Sequence, residues 1–357
     1  MKRRIYIDAS TNIPYGSFYL KGLVDMFGKN NVKFERTQFS DLPPLGWNIR
    51  FIVHEGDKII KVFVHTNDSY KIDLMQYKWC DVYGNVNANF NYYPKELYPK
   101  QISLVPSFGI RNFNIVETVY FSFANFFRSY EDIKGRKIYN KFAEQYDSDT
   151  IRNIRRHFFD YIKNYIYRLP IKSYTNNTII KNNYIFFLST LWYSDNYNKN
   201  DEGVNLRRSN FIEVCKELND CDFEGGLVAD NSSSTLFEKS RTDIRLNMSE
   251  WINKTKESVL VFNTPAFWDC HGWKLGEYLA LGKAIISTPL SNDLPVPLIH
   301  GKHIHFIPDS SKETIREAVK YILNNPDYRM SLETNAQLYW DEYGKPEKAL
   351  NLLGIYK

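Results

Sequence analysis

The stretch from Ser258 to Pro289 reads SVLVFNTPAFWDCHGWKLGEYLALGKAIISTP. It opens on an apolar run, Ser258 to Phe262, crosses a loop from Asn263 to His271, takes helical spacing from Gly272 to Leu281 and returns to an apolar run at Ala284 to Ser287. Short apolar runs suit strands buried on both faces, and Gly282 stands where a helix ends in left-handed backbone. The stretch is therefore a βαβ unit. In an open parallel sheet ligands gather outside the carboxyl ends of the strands, so the loop Asn263 to His271 is expected at the mouth of a site. The helix start at Gly272 offers backbone N–H groups and the positive end of a dipole, a setting that suits a diphosphate. Gly272 also brings no side chain to obstruct close approach.

The same alternation continues on either side. Upstream come a strand at Tyr184 to Ser189, a helix near Asn210 to Leu218 with Phe211, Val214, Cys215 and Leu218 on one face, a strand at Gly226 to Ala229 and a helix near Met248 to Lys256. Downstream, Thr314 to Leu323 reads as a helix and Met330 to Leu353 as a closing helical segment. In the first half, Arg4 to Asp8 reads as a strand, followed by a polar turn at Asn12 to Gly16. Leu20, Leu23, Val24 and Phe27 then share one helix face. Strand-like runs follow at Ile49 to Val53, Ile59 to Val64 and Gln101 to Val105. Tyr139 to Tyr167 reads as helical and ends at Pro170, and the polar stretch Ser173 to Asn183 marks a boundary. A chain of 357 residues is long enough for two cores. The expected fold is α/β: a first domain over 1–175 and a second over 180–329, with a last helix, 330–357, packing back on the first.

Composition narrows the function classes. Hydrophobic residues at 43% and charged residues at 24% are a globular balance, and a net charge of +5 is too mild for a nucleic-acid binder. The four cysteines form no Cys-x-x-Cys pair and no zinc spacing, which fits a reducing, cytoplasmic setting. Lys2, Arg3 and Arg4 precede an apolar run that Asp8 interrupts, so no secretory signal is read there.

Around Asp269 the sequence resembles the retaining glycosyltransferases of the GT-B fold (group 1, family 4-like), whose donor domain carries two acidic residues eight positions apart. That E-x7-E pattern maps onto Asp269 and Glu277, and the run from Tyr278 to Ile286 resembles the family's helix end, glycine and buried strand. The first acid here is Asp, and Cys270 stands where the family has glycine. The resemblance implies two Rossmann-like domains facing a central cleft. It also implies transfer of a sugar from a UDP- or GDP-type donor to a glycan or lipid-linked acceptor, in synthesis of a surface polysaccharide or glycoconjugate. No cofactor and no metal are implied. Glu277 would hold the donor ribose, Asp269 would stand at the transferred sugar, and Cys270 to Trp273, Gly272 among them, would lie over the phosphates, where His271 as a catalytic group and Lys274 would meet the developing charge.

Plainer readings stand beside these. Lys274 also reads as a solvated first-turn lysine, and His271 as a helix cap or packing residue. Arg207 and Arg208 follow the first strand of the second domain, where basic residues would meet a departing diphosphate, and they equally read as ordinary first-turn helix charges. Asp147-Ser148-Asp149 and Asp220-Cys221-Asp222 match the Asp-x-Asp of metal-dependent sugar transfer but read as caps and turns. On the acceptor side the expectation falls on Ser10, Asn12 and Gly16 in the loop from Asp8, on Pro106 to Arg111, and on His65 at a strand end. The basic, aromatic segment Ile151 to Lys172 reads either as a contact with the anionic inner face of a membrane or as a long interdomain helix burying its aromatic face. A sugar-nucleotide epimerase of the same fold, or a non-catalytic glycan- or partner-binding module, is the alternative.

Overall fold

The computed structural model describes residues 3–130, 154–175, 180–181, 183–192, 200–229 and 237–355. The chain is mixed α/β and divides into two compact units: one made of Met1–Ile171 with Lys345–Lys357, the other of Lys172–Gly344.

The first unit holds β1 (Arg3–Asp8), α1 (Ile13–Phe27), β2 (Val32–Glu35), β3 (Ile49–Glu55), β4 (Lys58–His65), α2 (Leu74–Trp79), β5 (Val82–Asn85), β6 (Gln101–Ser103), α3 (Ile115–Arg128) and α4 (Ile154–Tyr167). Its six strands lie in the order β2-β1-β3-β4-β5-β6. All neighbours pair in parallel except β3, which is antiparallel to both β1 and β4. The runs at Ile49 and Ile59 are thus a hairpin and not two strands of a βαβ alternation. Only Gly56 and Asp57 separate the paired Glu55 and Lys58, with Gly56 at φ +60°, and a parallel crossover needs a dozen residues or more.

Asp8 ends β1 wholly out of water and anchors this unit. Its Oδ2 accepts from Arg50 Nε at 2.6 Å and from Arg36 Nη1 at 3.3 Å. Other donors of the two guanidiniums go to the Pro43 and Leu42 carbonyls at 2.6 and 2.7 Å, to the Phe39 carbonyl and to the Gln76 side chain. A buried charge costs least when it is paired and hydrogen-bonded, as this cluster is.

The closing segment is two helices. α9 (Pro326–Tyr339) belongs to the second unit, a π-helical turn covers Trp340–Gly344, and α10 (Pro346–Leu352) packs on α1 in the first unit. Pro346 sets the break, since proline starts a helix but cannot continue one. The contact with α1 is close because Gly22 has no Cβ: one placed there would stand 2.6 Å from the Pro346 carbonyl oxygen.

The second unit runs β7 (Tyr184–Thr190), α5 (Asn200–Glu217), β8 (Asp222–Val228), β9 (Arg241–Thr242), α6 (Met248–Glu257), β10 (Val261–Asn263), α7 (Trp273–Ala280), β11 (Ile285–Ser287), β12 (His305–Phe306) and α8 (Lys312–Asn324), then α9. Two parallel three-stranded sheets, β7-β8-β9 and β10-β11-β12, meet at their first strands. Val259 N–H donates to the Tyr184 carbonyl at 2.8 Å, and Phe186 N–H donates to the Ser258 hydroxyl at 2.9 Å. The strands therefore stand in the order β9-β8-β7-β10-β11-β12, and the winding reverses between β7 and β10. That reversal is the switch point at which doubly wound sheets leave a crevice. The core beneath it is aromatic, with Phe211 and Phe262 stacked at 4.4 Å and Phe187 set edge-on to both.

Candidate functional site

The carboxyl ends of β7 and β10 flank the switch point, and two basic side chains, Arg208 and Lys274, reach the carbonyls at the end of β7. Arg208 lies well inside α5, not in a first turn, because the helix begins ten residues earlier than its apolar spacing indicates. Arg208 is 7% exposed, and its Nη1 reaches the Thr190 carbonyl at 3.4 Å. No carboxylate forms an ion pair with it among the described residues. Burial pushes its pKa down to about 10, against the pull of the nearby Tyr278 and Cys270.

Lys274 joins it from the first turn of α7. Its Nζ donates to the Leu188 carbonyl at 2.7 Å and sits 4.7 Å from the centre of the Phe187 ring. Burial and then the Arg208 cation push its pKa down to about 7, with Glu277 opposing. Lys274 is thus no solvated surface lysine. Glu277, one helical turn beyond it, is 4% exposed, and its negative charge supports the charged form of Lys274. Gly272 caps α7 without a side-chain hydrogen bond, Trp273 takes the first helical position, and a Cβ on Gly272 would come within 3.3 Å of the Ala266 Cβ. Two cations and an open helix start therefore share one end of the sheet, a set that suits an anion with several oxygens.

The loop before α7 is strained. Trp268 and Asp269 both take left-handed backbone, at φ +51° and +56°, which costs of order 1–3 kcal/mol for each such residue. The Ala266 N–H to Cys270 carbonyl bond at 2.9 Å and the Asn292 side chain, donating to the Asp269 carbonyl at 3.1 Å, hold this shape. The strained turn presents the Asp269 carboxylate outward with its side chain 53% exposed, 4.0 Å from Arg207 Nη1. His271 points the other way and is buried. Desolvation lowers its pKa to about 4, although the Asn292 and Asp293 backbone supports its charged form, so the ring is neutral at pH 7. A cavity of about 250 Å³ lies in the segment after β11, lined by Pro289, Leu290, Leu294, Pro297, Leu298 and Phe306, with Asn292 in its wall.

The structure thus brings Arg207, Arg208, Asp269, Lys274 and Glu277 to one end of one sheet. Ser10, Asn12, Gly16 and His65 belong to the first unit. Ser10 accepts from Leu45 N–H at 3.1 Å, Asn12 donates to Asp160 at 3.1 Å, and Gly16 lies within α1, where a Cβ would meet Thr11 at 2.5 Å. His65 is buried at the end of β4 with its pKa lowered to about 4 by desolvation, against a hydrogen bond with Asn85. Asp220-Cys221-Asp222 enters β8 at its amino end, away from the crevice, and Asp147-Ser148-Asp149 lies outside the described residues. Sequence reading missed the Leu188 and Thr190 carbonyls, since backbone acceptors leave no residue signature. It also missed Asn205, which pins the loop after β7 through bonds to both backbone groups of Trp192 at 2.8 and 3.2 Å.

No family model and no curated protein matches the chain. Among solved structures, it is similar to a glycosyltransferase from Rickettsia africae at 12% identity, covering 80% of this chain and 65% of that one, with a TM-score of 0.39. It is similar to the C-terminal domain of a glycosyl transferase group 1 family protein from Francisella tularensis at 11% identity over 46% of this chain and 86% of that one, TM-score 0.32. A UDP-N-acetylglucosamine 2-epimerase from Listeria monocytogenes, described as such by similarity, aligns at 15% identity over 82% and 72%, TM-score 0.40.

Proposed function

We propose that this chain is a glycosyltransferase of the GT-B type that binds a nucleoside-diphosphate sugar in its second unit. The observation that carries this reading is Arg208, a buried guanidinium without a carboxylate partner among the described residues, placed with Lys274 at the switch point of a doubly wound sheet. A cation held out of water costs folding energy, and a diphosphate that neutralises it recovers that cost on binding.

In the reaction we infer, the bond between the anomeric carbon and the diphosphate breaks, and negative charge grows on the departing phosphate oxygen. Arg208, Lys274 and the N–H groups at the start of α7 stand ready for that charge without reorganising, which is the main electrostatic source of rate in such a site. Glu277, buried one turn further, would accept from the ribose hydroxyls. Asp269 on its strained turn would face the transferred sugar, and His271 would support the turn as a neutral ring. A retaining, metal-independent transfer to a glycan or lipid-linked hydroxyl fits this set, with the first unit taking the acceptor.

The test is turnover of UDP- and GDP-sugars in the presence of glycan and lipid acceptors. Release of the nucleoside diphosphate together with a glycosylated product supports the proposal. A changed sugar on an intact nucleotide, with no acceptor needed, would assign an epimerase instead, and neither product would leave a binding module.

A further inference from the structure

Helices α3 and α4 of the first unit enclose a largely polar seam. Thr118, Ser122 and Asn125 on α3 and His157, Asp160 and Asn164 on α4 are all buried, with the Tyr161 ring among them. His157 Nε2 bonds the Ser122 carbonyl at 2.8 Å, Asn125 donates to the Tyr161 hydroxyl at 2.8 Å, and Asn164 donates to the Ile110 carbonyl at 3.1 Å. Their outward residues are apolar. Val116, Tyr120, Phe123, Phe127, Ile162 and Ile166 are each more than half exposed. A surface helix of a water-soluble domain places polar residues outside, and a contiguous apolar face of this size marks an interaction surface. The alternative of a helix burying its aromatic face fails for Phe159 and Tyr167, which are exposed.

The charges say what covers it. The exposed ionic side chains of the two helices are cations, Arg128, Arg155 and Lys163. Of their carboxylates, Glu117 pairs with Lys29 and Asp160 is buried against Asn12. Lys163 lays its stem over Phe159, with Nζ 5.2 Å from the ring centre, as long cationic side chains do at an apolar boundary. A second copy of the chain would bring the same cationic rim against itself, whereas an anionic lipid surface complements both the rim and the apolar face. None of the described helices is long and apolar enough to cross a membrane, which leaves α3 and α4 to lie in the interface. We propose that the paired helices α3 and α4 dock this protein on an anionic bilayer surface, with their phenylalanine and isoleucine side chains in the acyl boundary and Arg155 and Lys163 at the headgroups.

The experiment is flotation of the full chain with vesicles of phosphatidylcholine alone or mixed with phosphatidylglycerol. The wild type is expected to float with the mixed vesicles and to detach as salt rises. Phe123→Ser/Phe127→Ser/Ile166→Ser changes only exposed positions and is expected to lose binding by roughly tenfold or more. Arg155→Glu/Lys163→Glu is expected to weaken binding to the mixed vesicles by roughly fivefold or more for each side chain. Absence of flotation at low salt, or unchanged binding by the triple variant, overturns the proposal. So does a wild-type dimer that the triple variant dissolves while vesicles remain unbound, which would give the face to a second copy. Nucleotide-induced thermal shifts of the same variants report on the second unit separately, so this proposal and the transferase reading fail independently.

Discussion

Arg208 gives the most specific expectation at the scale of a single residue. Its guanidinium is held inside the protein on the 3.4 Å contact with the Thr190 carbonyl, with no carboxylate among the described residues to offset the lost hydration. Replacing a buried, uncompensated charge with an apolar side chain of similar length stabilises proteins, so Arg208→Met should raise the unfolding free energy of the empty protein by about 1–2 kcal/mol in urea titration. A substitution that strengthens the fold while removing ligand binding separates a functional cation from a structural one. Lys274 gives a pH test. The unfolded chain keeps this proton to about pH 10.5 and the folded one only to about 7. Between those values the unfolded state binds more protons, so the contribution of this group to empty-protein stability rises with pH across that window. A bound diphosphate favours the charged lysine, so affinity is full below pH 7 and falls above it, by at most about tenfold per pH unit. A nucleoside-diphosphate sugar, whose diester phosphates do not titrate near neutrality, is the ligand to use in calorimetry from about pH 6 to 9. Lys274→Met should flatten the dependence.

The elements show why parts of the site were legible in the sequence. The apolar run, loop and helix from Ser258 to Ser287 could be read directly, because a buried parallel strand and a short helix have different periods and Gly282 separates them; the observed φ at Gly282 is +56°. Arg208 could not be placed, since the first ten residues of α5 carry little apolar periodicity and its helix was read to start at Asn210. The hairpin at Gly56 was hidden because β3 and β4 are apolar runs whose direction no pattern encodes. Strand β8 offers a test of how closely this sheet is fitted. Gly225 pairs with Phe187 at φ +133°, and a Cβ there would stand 1.9 Å from the Phe187 carbonyl oxygen. Gly225→Ala therefore has no local escape and should cost about 2–3 kcal/mol of stability in denaturant unfolding. Since β7 ends at Thr190, the same change should also weaken nucleotide binding.

Across the whole molecule, each unit carries a histidine kept neutral by burial, His65 in the first and His271 in the second, both lowered to about 4. The unfolded chain protonates these rings below about 6.5, while the folded units resist until about 4. The unfolded state therefore binds more protons in that window, and stability is lost as pH falls through it. Thermal unfolding should drop steeply between pH 6.5 and 4.5, and His65→Gln should remove part of the slope if it folds. The α/β class was legible in the alternation of elements, and the return of α10 to α1 depends on Gly22, whose missing Cβ no sequence pattern singles out.

The most direct measurement of the central claim is thermal stabilisation of the wild type, Arg208→Met and Glu277→Ala by UDP, GDP and their sugars without added metal. The account predicts a shift with one nucleotide series in the wild type, since a ligand that binds only the folded state stabilises it by mass action. It predicts loss of that shift in both variants, with Arg208→Met the more stable protein when empty. A folded wild type that no nucleotide stabilises, or an Arg208→Met variant that responds as the wild type does, would contradict it.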